Sequence, residues 1–267
     1  MSYWGLDIVK SGNKEIGTRN LFTLFLRALL IQASWSFDRM QSLGFAYAIE
    51  PFLRRLYPDT KEYESRLKLH LEYFNTQPYL AAFILGAALR LEYERTSGHK
   101  YDSDVAELKT ALMAPLGALG DSFFWGALKP VAAAVAIAFL VTGLWWAPVL
   151  FLVLYNIWHI GLRIAFVFWG YISRGDAVEL MRRCRFTRLA KLFKIATLTV
   201  LGGILGLLPA WRPELKPDVN IPGIAIALLS LAITLILLMA LRKGSSPVKL
   251  MLGLAVSCLA LAYAGVI

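Results

Sequence analysis

The chain has 267 residues, of which 58% are apolar and only 17% charged. A soluble domain runs nearer roughly 45–50% apolar and about 25% charged. The composition therefore excludes a soluble enzyme and a disordered chain, and points to a protein that uses a bilayer as part of its solvent. Two cysteines, Cys184 and Cys258, leave no disulfide scaffold and no four-cysteine zinc site, and three scattered histidines (His70, His99, His159) leave no histidine-rich metal centre. No cofactor is expected.

The net charge of +10 is unevenly spread. Residues 1–128 carry fourteen basic and fourteen acidic side chains, whereas residues 129–267 carry fourteen basic against four acidic. Seven of the basic residues fall between Arg174 and Lys194. A basic stripe can signal nucleic acid, but this one lies between apolar runs, where the positive-inside rule accounts for it. No nucleic-acid partner is expected.

In chain order, Met1–Arg19 has no apolar signal-peptide region and reads as a retained tail. Asn20–Tyr57 is apolar with a helical period, places Leu26, Leu29 and Leu30 on one face, and is punctuated by Pro51 and Pro58. Asp59–Phe74 predicts an amphipathic helix. Glu62/Arg66 and Glu64/Lys68 form acid-to-base pairs on its exposed side, and Leu67, Leu71 and Phe74 form its apolar face. Asn75-Thr76-Gln77-Pro78 ends it. Tyr79–Leu89 is too short to cross a bilayer and predicts a re-entrant or buried helix. Residues 110–130 are apolar and glycine-rich with one acid, Asp121, and predict a broken segment that protein or a water-filled cavity must cover.

The remainder predicts about five hydrophobic spans: 130–145, 148–171, 193–211, 221–241 and 249–267. Trp145 and Trp146 suit an aromatic belt between the first two. The loops read basic (172–194), neutral (212–220) and basic (242–249), which places the first and third in the cytoplasm and the C-terminus outside. The expected organisation is a tail (1–19), an amphipathic and re-entrant helical region (20–128) and a transmembrane region (129–267) of an all-α integral membrane protein.

Three stretches carry a family resemblance. They are Ser34-Trp35-Ser36-Phe37-Asp38-Arg39-Met40-Gln41-Ser42-Leu43-Gly44-Phe45, then His70-Leu71-Glu72-Tyr73-Phe74-Asn75-Thr76-Gln77-Pro78-Tyr79, and Met113–Pro130 with Gly120-Asp121 and Phe124-Trp125-Gly126. In order and spacing they resemble the IID component of the mannose-type phosphotransferase-system sugar transporters. The resemblance covers residues 20–170. The family's pattern usually has Glu where Asp38 stands and proline where Ser122 follows Asp121.

The resemblance implies a bacterial inner-membrane subunit that pairs with a IIC membrane subunit to translocate a hexose of the mannose class. Cytoplasmic IIA and IIB components supply the phosphate, and IIC–IID pairs assemble further. It implies no phosphorylation site in this chain, and the residues agree: none of the histidines stands in a nucleophile-with-base arrangement, and no Gly-rich phosphate loop is present. A regulatory or scaffold protein of the same fold is the alternative.

A sugar site needs donors and acceptors fixed in a partly dry pocket, because each hydroxyl exchanges water for a partner. The candidates in the matched stretches are Asp38, Gln41, Asn75, Thr76, Gln77 and Asp121. Asp38 and Gln41, three apart, are expected on one helical face. The competing structural readings are that Asp38 neutralises an arginine, that 75–78 is only a helix stop, and that Asp121 ties a hairpin by accepting backbone N–H bonds. His70 is expected to be packed, not a proton relay. Asn156, His159 and Arg163 form a polar strip expected to face protein.

Overall fold

The computed structural model describes residues 16–98, 105–176, 185–211 and 223–265. The tail to residue 15, His99, Cys184 with Arg182 and Arg183 of the basic loop, and the whole 212–220 loop lie outside the described residues. Among the described residues there are ten α-helices and one π-helical stretch, and no strands. Two compact units divide at 200/201.

The first unit begins with α1 (Thr18–Ala28), α2 (Ser42–Leu56) and α3 (Thr60–His70). α1 buries Leu21, Leu24, Phe25 and Ala28 and leaves Phe22 and Leu26 exposed; Leu29 and Leu30, in the turn that follows it, are exposed as well. The leucines do share a face, and that face points outward. Pro51 lies inside α2 instead of ending it, and Pro58 follows its end. α3 starts at Asp59, whose carboxylate accepts the Glu62 N–H at 3.0 Å, which satisfies one of the free donors at a helix start.

α4 (Ala81–Thr96) is the centre of the core, with every residue from Leu80 to Leu89 buried. The expected buried helix is present and runs seven residues past Leu89. It packs against α7 (Ala147–Ser173) with no room for side chains at two points. A Cβ on Gly86 would stand 2.1 Å from the Val167 carbonyl oxygen, and one on Gly170 2.0 Å from that of Phe83. Two facing glycines let the backbones touch, the usual way helices pack closely at membrane depth.

Between them, α5 (Val105–Gly120), the π-helical stretch Asp121–Leu128 and α6 (Lys129–Val141) form one uninterrupted helical run. This corrects two expectations. Residues 110–130 are not a broken segment, and the first hydrophobic span is not a separate element starting at 130. Pro115, Gly117 and Gly120 are accommodated within α5, and the helix takes π geometry only from Asp121 onward, without breaking. The division expected at 128/129 falls inside this run. At 37 residues it is long and apolar enough to cross a membrane, as is the 27-residue α7. The turn between them uses Gly143 in a left-handed conformation, with Trp145 84% exposed beside it. α7 buries Tyr155, Arg163, Phe166 and Val167 and exposes Val149, Leu152, Val153 and Ile157.

α8 (Phe186–Trp211) closes the first unit and runs into the second. The second unit holds α9 (Gly223–Arg242) and α10 (Pro247–Tyr263), joined by a turn at Gly244 with φ +88°. α10 buries none of its side chains and exposes Met251, Leu252, Val256 and Leu259. Such an apolar surface needs lipid or protein around it.

Candidate functional site

The three stretches singled out in the sequence meet. The first does not form a helix before Ser42. Residues 36–40 turn back on themselves through paired Ser36–Met40 backbone bonds of 3.1 and 2.8 Å, with Met40 left-handed at φ +53°. Met40 pairs alongside Phe74, and the Gln41 N–H donates to the Phe74 carbonyl at 2.9 Å. The Gln41 carboxamide then grips the second stretch from both sides. Its Nε2 donates to the Thr76 carbonyl at 2.8 Å, and its Oε1 accepts the Thr76 N–H at 3.3 Å.

The third stretch docks on the same loop. The Thr76 hydroxyl donates to the Met113 carbonyl at 2.9 Å, and the Asn75 N–H lies 3.3 Å from the Met113 sulfur. Gly117 faces Thr76, and Gly120 packs so closely on Gln77 that a Cβ there would stand 2.5 Å from the Gln77 Cβ. Gln77 in turn starts α4: its Oε1 accepts the N–H of Tyr79 at 2.7 Å and of Leu80 at 3.1 Å. Those two bonds fix which end of the carboxamide is oxygen. Its Nε2 is buried without a hydrogen-bond partner among the described residues.

Together these elements enclose a cleft of about 570 Å³ lined by Gln41, Asn75, Thr76, Gln77 and Asp121, with Trp125 and Tyr73 among the aromatic walls. Five of the six expected site residues are therefore brought together. Their roles differ. Gln41 and Thr76 are buried, and their polar groups are engaged in the fold. Asn75 and Asp121 are exposed to the cleft, and among the described residues their side chains make no hydrogen bond. Gln77 does both jobs, capping with its oxygen and leaving its N–H donors unspent.

Asp38 is the exception. It is exposed and lines a separate depression with Arg39, Lys68 and Glu72. The expectation of a shared helical face with Gln41 fails because residues 34–41 are not helical. Asp38 also makes no ion pair among the described residues, so it does not neutralise an arginine. The hairpin role for Asp121 is likewise overturned, since Asp121 opens the π-helical stretch of a continuous run.

Sequence reasoning missed a buried polar cluster between α2, α3 and α4. Glu92 of α4 is fully buried and accepts from Arg66 at 2.7 Å, from the Tyr57 hydroxyl at 2.6 Å and from His70 Nε2 at 2.8 Å. Arg66 is thus a core residue and not the exposed partner of Glu62. His70 is packed, stacked on Phe45 at 5.7 Å. Burial holds its imidazole below the ordinary range, despite the Glu92 carboxylate. Burial pushes Glu92 up, but the donors from His70 and Arg66 outweigh it and hold the carboxyl down to about 2. Lys109 of α5 donates to the Leu69 carbonyl at 3.1 Å. Nothing in the spacing of Tyr57, Arg66, His70 and Glu92 announces this cluster.

The polar strip of α7 faces protein. Arg163 is buried, and its Nη2 donates to the carbonyls of Ala28 and Pro78, which ties α1 to the cleft loop. The His159 ring packs tilted against Tyr79, with ring centres 4.0 Å apart. No group of histidine, cysteine and carboxylate side chains that would hold a metal occurs among the described residues.

An all-helical fold among the described residues, two helices long and apolar enough to cross a membrane, and a polar cleft lined in part by one of them fit a membrane protein of the transporter class. The chain belongs to the mannose/fructose/sorbose family of phosphotransferase-system IID components, whose family model matches residues 15–267. It is 38% identical over 194 residues to the mannose-specific EIID component of Escherichia coli K12, covering 72% of this chain and 69% of that one. It is 30% identical over 261 residues to the sorbose-specific EIID component of Klebsiella pneumoniae, covering 90% and 94%. Its fold is similar to a chain in a cryo-EM structure of the mannose transporter ManYZ with microcin E492. There the TM-score is 0.57 and the identity 32%, over 94% of this chain and 97% of that one. A second solved membrane protein gives a TM-score of 0.69 at 31% identity, over 93% and 97%. The chain is a membrane component of a phosphotransferase-system sugar transporter.

Proposed function

We propose that the chain is the IID subunit of an inner-membrane permease that, with a IIC subunit, translocates a hexose of the mannose class, while cytoplasmic IIA and IIB components carry the phosphoryl groups. Relatives named for mannose, fructose and sorbose support the substrate class, and the ManYZ transporter supports a membrane partner. The outward apolar residues of α1 and the bare surface of α10 supply area for such a partner and for further assembly of pairs. The basic loops support a cytoplasmic 172–194 and 242–249 with Ile267 outside. A C-terminal alkaline phosphatase fusion should be active; an inactive one beside an active cytoplasmic reporter reverses that orientation.

The observation that carries the sugar reading is the aromatic-walled cleft, lined by Asn75 and Asp121, which are exposed and whose side chains make no hydrogen bond among the described residues. A site built to hydrogen-bond hydroxyls discriminates strongly when one is missing. Hexose affinity of the purified complex should fall about five- to a hundredfold in Asn75→Ala and in Asp121→Asn, at unchanged yield. Unchanged affinity in both would move sugar recognition to the partner and leave this chain as its support.

A further inference from the structure

A second groove, away from the cleft, lies between the α5–π junction and the start of α8, and encloses about 350 Å³. Leu119 and Phe123 form one side, and Ile195 and Leu198 the other. Lys191 and Lys194 line the same groove one helical step before the uncharged part of α8 begins at Ile195. Neither ammonium has a carboxylate partner among the described residues. Lys194 lies near Gly126, where a Cβ would stand 3.9 Å from its Nζ.

We propose that this groove binds an anionic phospholipid, with an acyl chain along Leu119, Phe123 and Leu198 and the phosphate at Lys191 and Lys194. The depth along the helix is the argument for a lipid. Two cations at the boundary between a basic loop and an apolar span sit where a headgroup phosphate sits, and basic pockets between membrane helices select such headgroups. The aliphatic stems of the lysines lie along the apolar wall while their ammonium groups reach the interface. An apolar helix of a partner subunit would leave both charges facing hydrocarbon without a counter-ion, which is costly.

The test uses the chain purified with whatever subunits accompany it, delipidated and presented with phosphatidylglycerol or phosphatidylcholine in detergent. Retained lipid is counted by native mass spectrometry. Phosphatidylglycerol should be retained in preference to phosphatidylcholine. The Lys191→Gln/Lys194→Gln pair should weaken it roughly thirtyfold, and the Arg242→Gln/Lys243→Gln pair should leave it unchanged. Thr187→Trp, at an exposed position of the groove wall, narrows the groove without altering charge and should also release the lipid.

Equal retention of both lipids, or undiminished phosphatidylglycerol on the lysine variant, would overturn the proposal. So would full competition by glycerophosphoglycerol, which has no acyl chain. No retained lipid on the wild-type protein, with cross-links from Ile195 to a partner subunit, would assign the groove to that partner instead. The comparison of the two lipids on the wild-type protein decides the matter even where a variant does not fold.

Discussion

Gln41 and Thr76 hold each other by both ends of one carboxamide. The donor and the acceptor of the Gln41 side chain meet the carbonyl and the N–H of the same residue, thirty-five positions away. This pair joins the turn before α2 to the loop before α4 and sets one wall of the cleft. Both hydrogen bonds are buried.

Gln41→Ala should therefore cost stability more than ligand affinity. It leaves a buried N–H and a buried carbonyl unpaired, at roughly 1–3 kcal/mol. The melting temperature and yield of the complex should fall, while hexose affinity in the folded fraction changes little. Wild-type stability with weakened binding would place the carboxamide in contact with the ligand.

Glu92 and Arg66 form a buried ion pair, and neither can be neutralised alone without leaving a charge in the core. Arg66→Ala should cost roughly 3–5 kcal/mol, because it strands the buried carboxylate. Glu92→Gln removes the carboxylate that pairs the Arg66 guanidinium and should cost a similar amount, whereas Arg66→Met with Glu92→Gln removes both charges and should cost less than either. Denaturation of the purified complex measures the order, and a double variant less stable than both single ones would show that charge is not what matters there.

Acid should act through His70. In the unfolded chain the imidazole takes up a proton near pH 6.5, whereas burial keeps it neutral in the fold. The unfolded state then binds more protons, so stability falls as pH drops below about 6.5. Glu92 adds nothing between pH 7 and 5: its contribution is present above the ordinary carboxylate range and is lost only as pH falls toward about 2. Burial raises the Tyr57 hydroxyl, which stays neutral across that window. Melting temperature should decline from pH 7 to 5 in the wild type and decline less in His70→Gln. Parallel declines would place the sensitivity elsewhere.

The α4–α7 contact predicts a sharp contrast among glycines of one helix. Gly170→Ala drives a methyl group into the Phe83 carbonyl, whereas Gly161→Ala meets nothing within 4 Å. The first should lose roughly 1–3 kcal/mol or fail to assemble; the second should be neutral or slightly stabilising. The readout is the monodisperse fraction after extraction, and a well-behaved Gly170→Ala would mean that the two helices can separate.

Gly120→Ala tests the cleft without touching a polar group. Its methyl would push Gln77 off the end of α4, so hexose affinity should fall about tenfold or more with every hydrogen-bonding side chain still present. Unchanged affinity would detach Gln77 from the site.

Much of this protein was legible in the chain. Length and absence of charge are additive along a segment, so the apolar helices at 147–173, 223–242 and 247–263 could be read nearly to their ends. The helix stop at Asn75–Pro78 is local chemistry, and Asn75, Gln77, Gln41 and Asp121 were marked by their place in the family-like stretches. What only the tertiary structure decided depends on residues far apart in sequence. Asp38 and Gln41 are three apart, yet a backbone turn sends one outward to solvent and the other inward to Thr76. Arg66 has an acid at helical spacing in Glu62, yet it is drawn into the core by Glu92, twenty-six residues away. The glycines near 120 read as a break, but the helix continues through them, with Gly120 packed closely on Gln77 and π geometry following from Asp121. A local pattern fixes which groups a segment offers; which of them are buried, and against what, is set by the long-range partner that best compensates the loss of water.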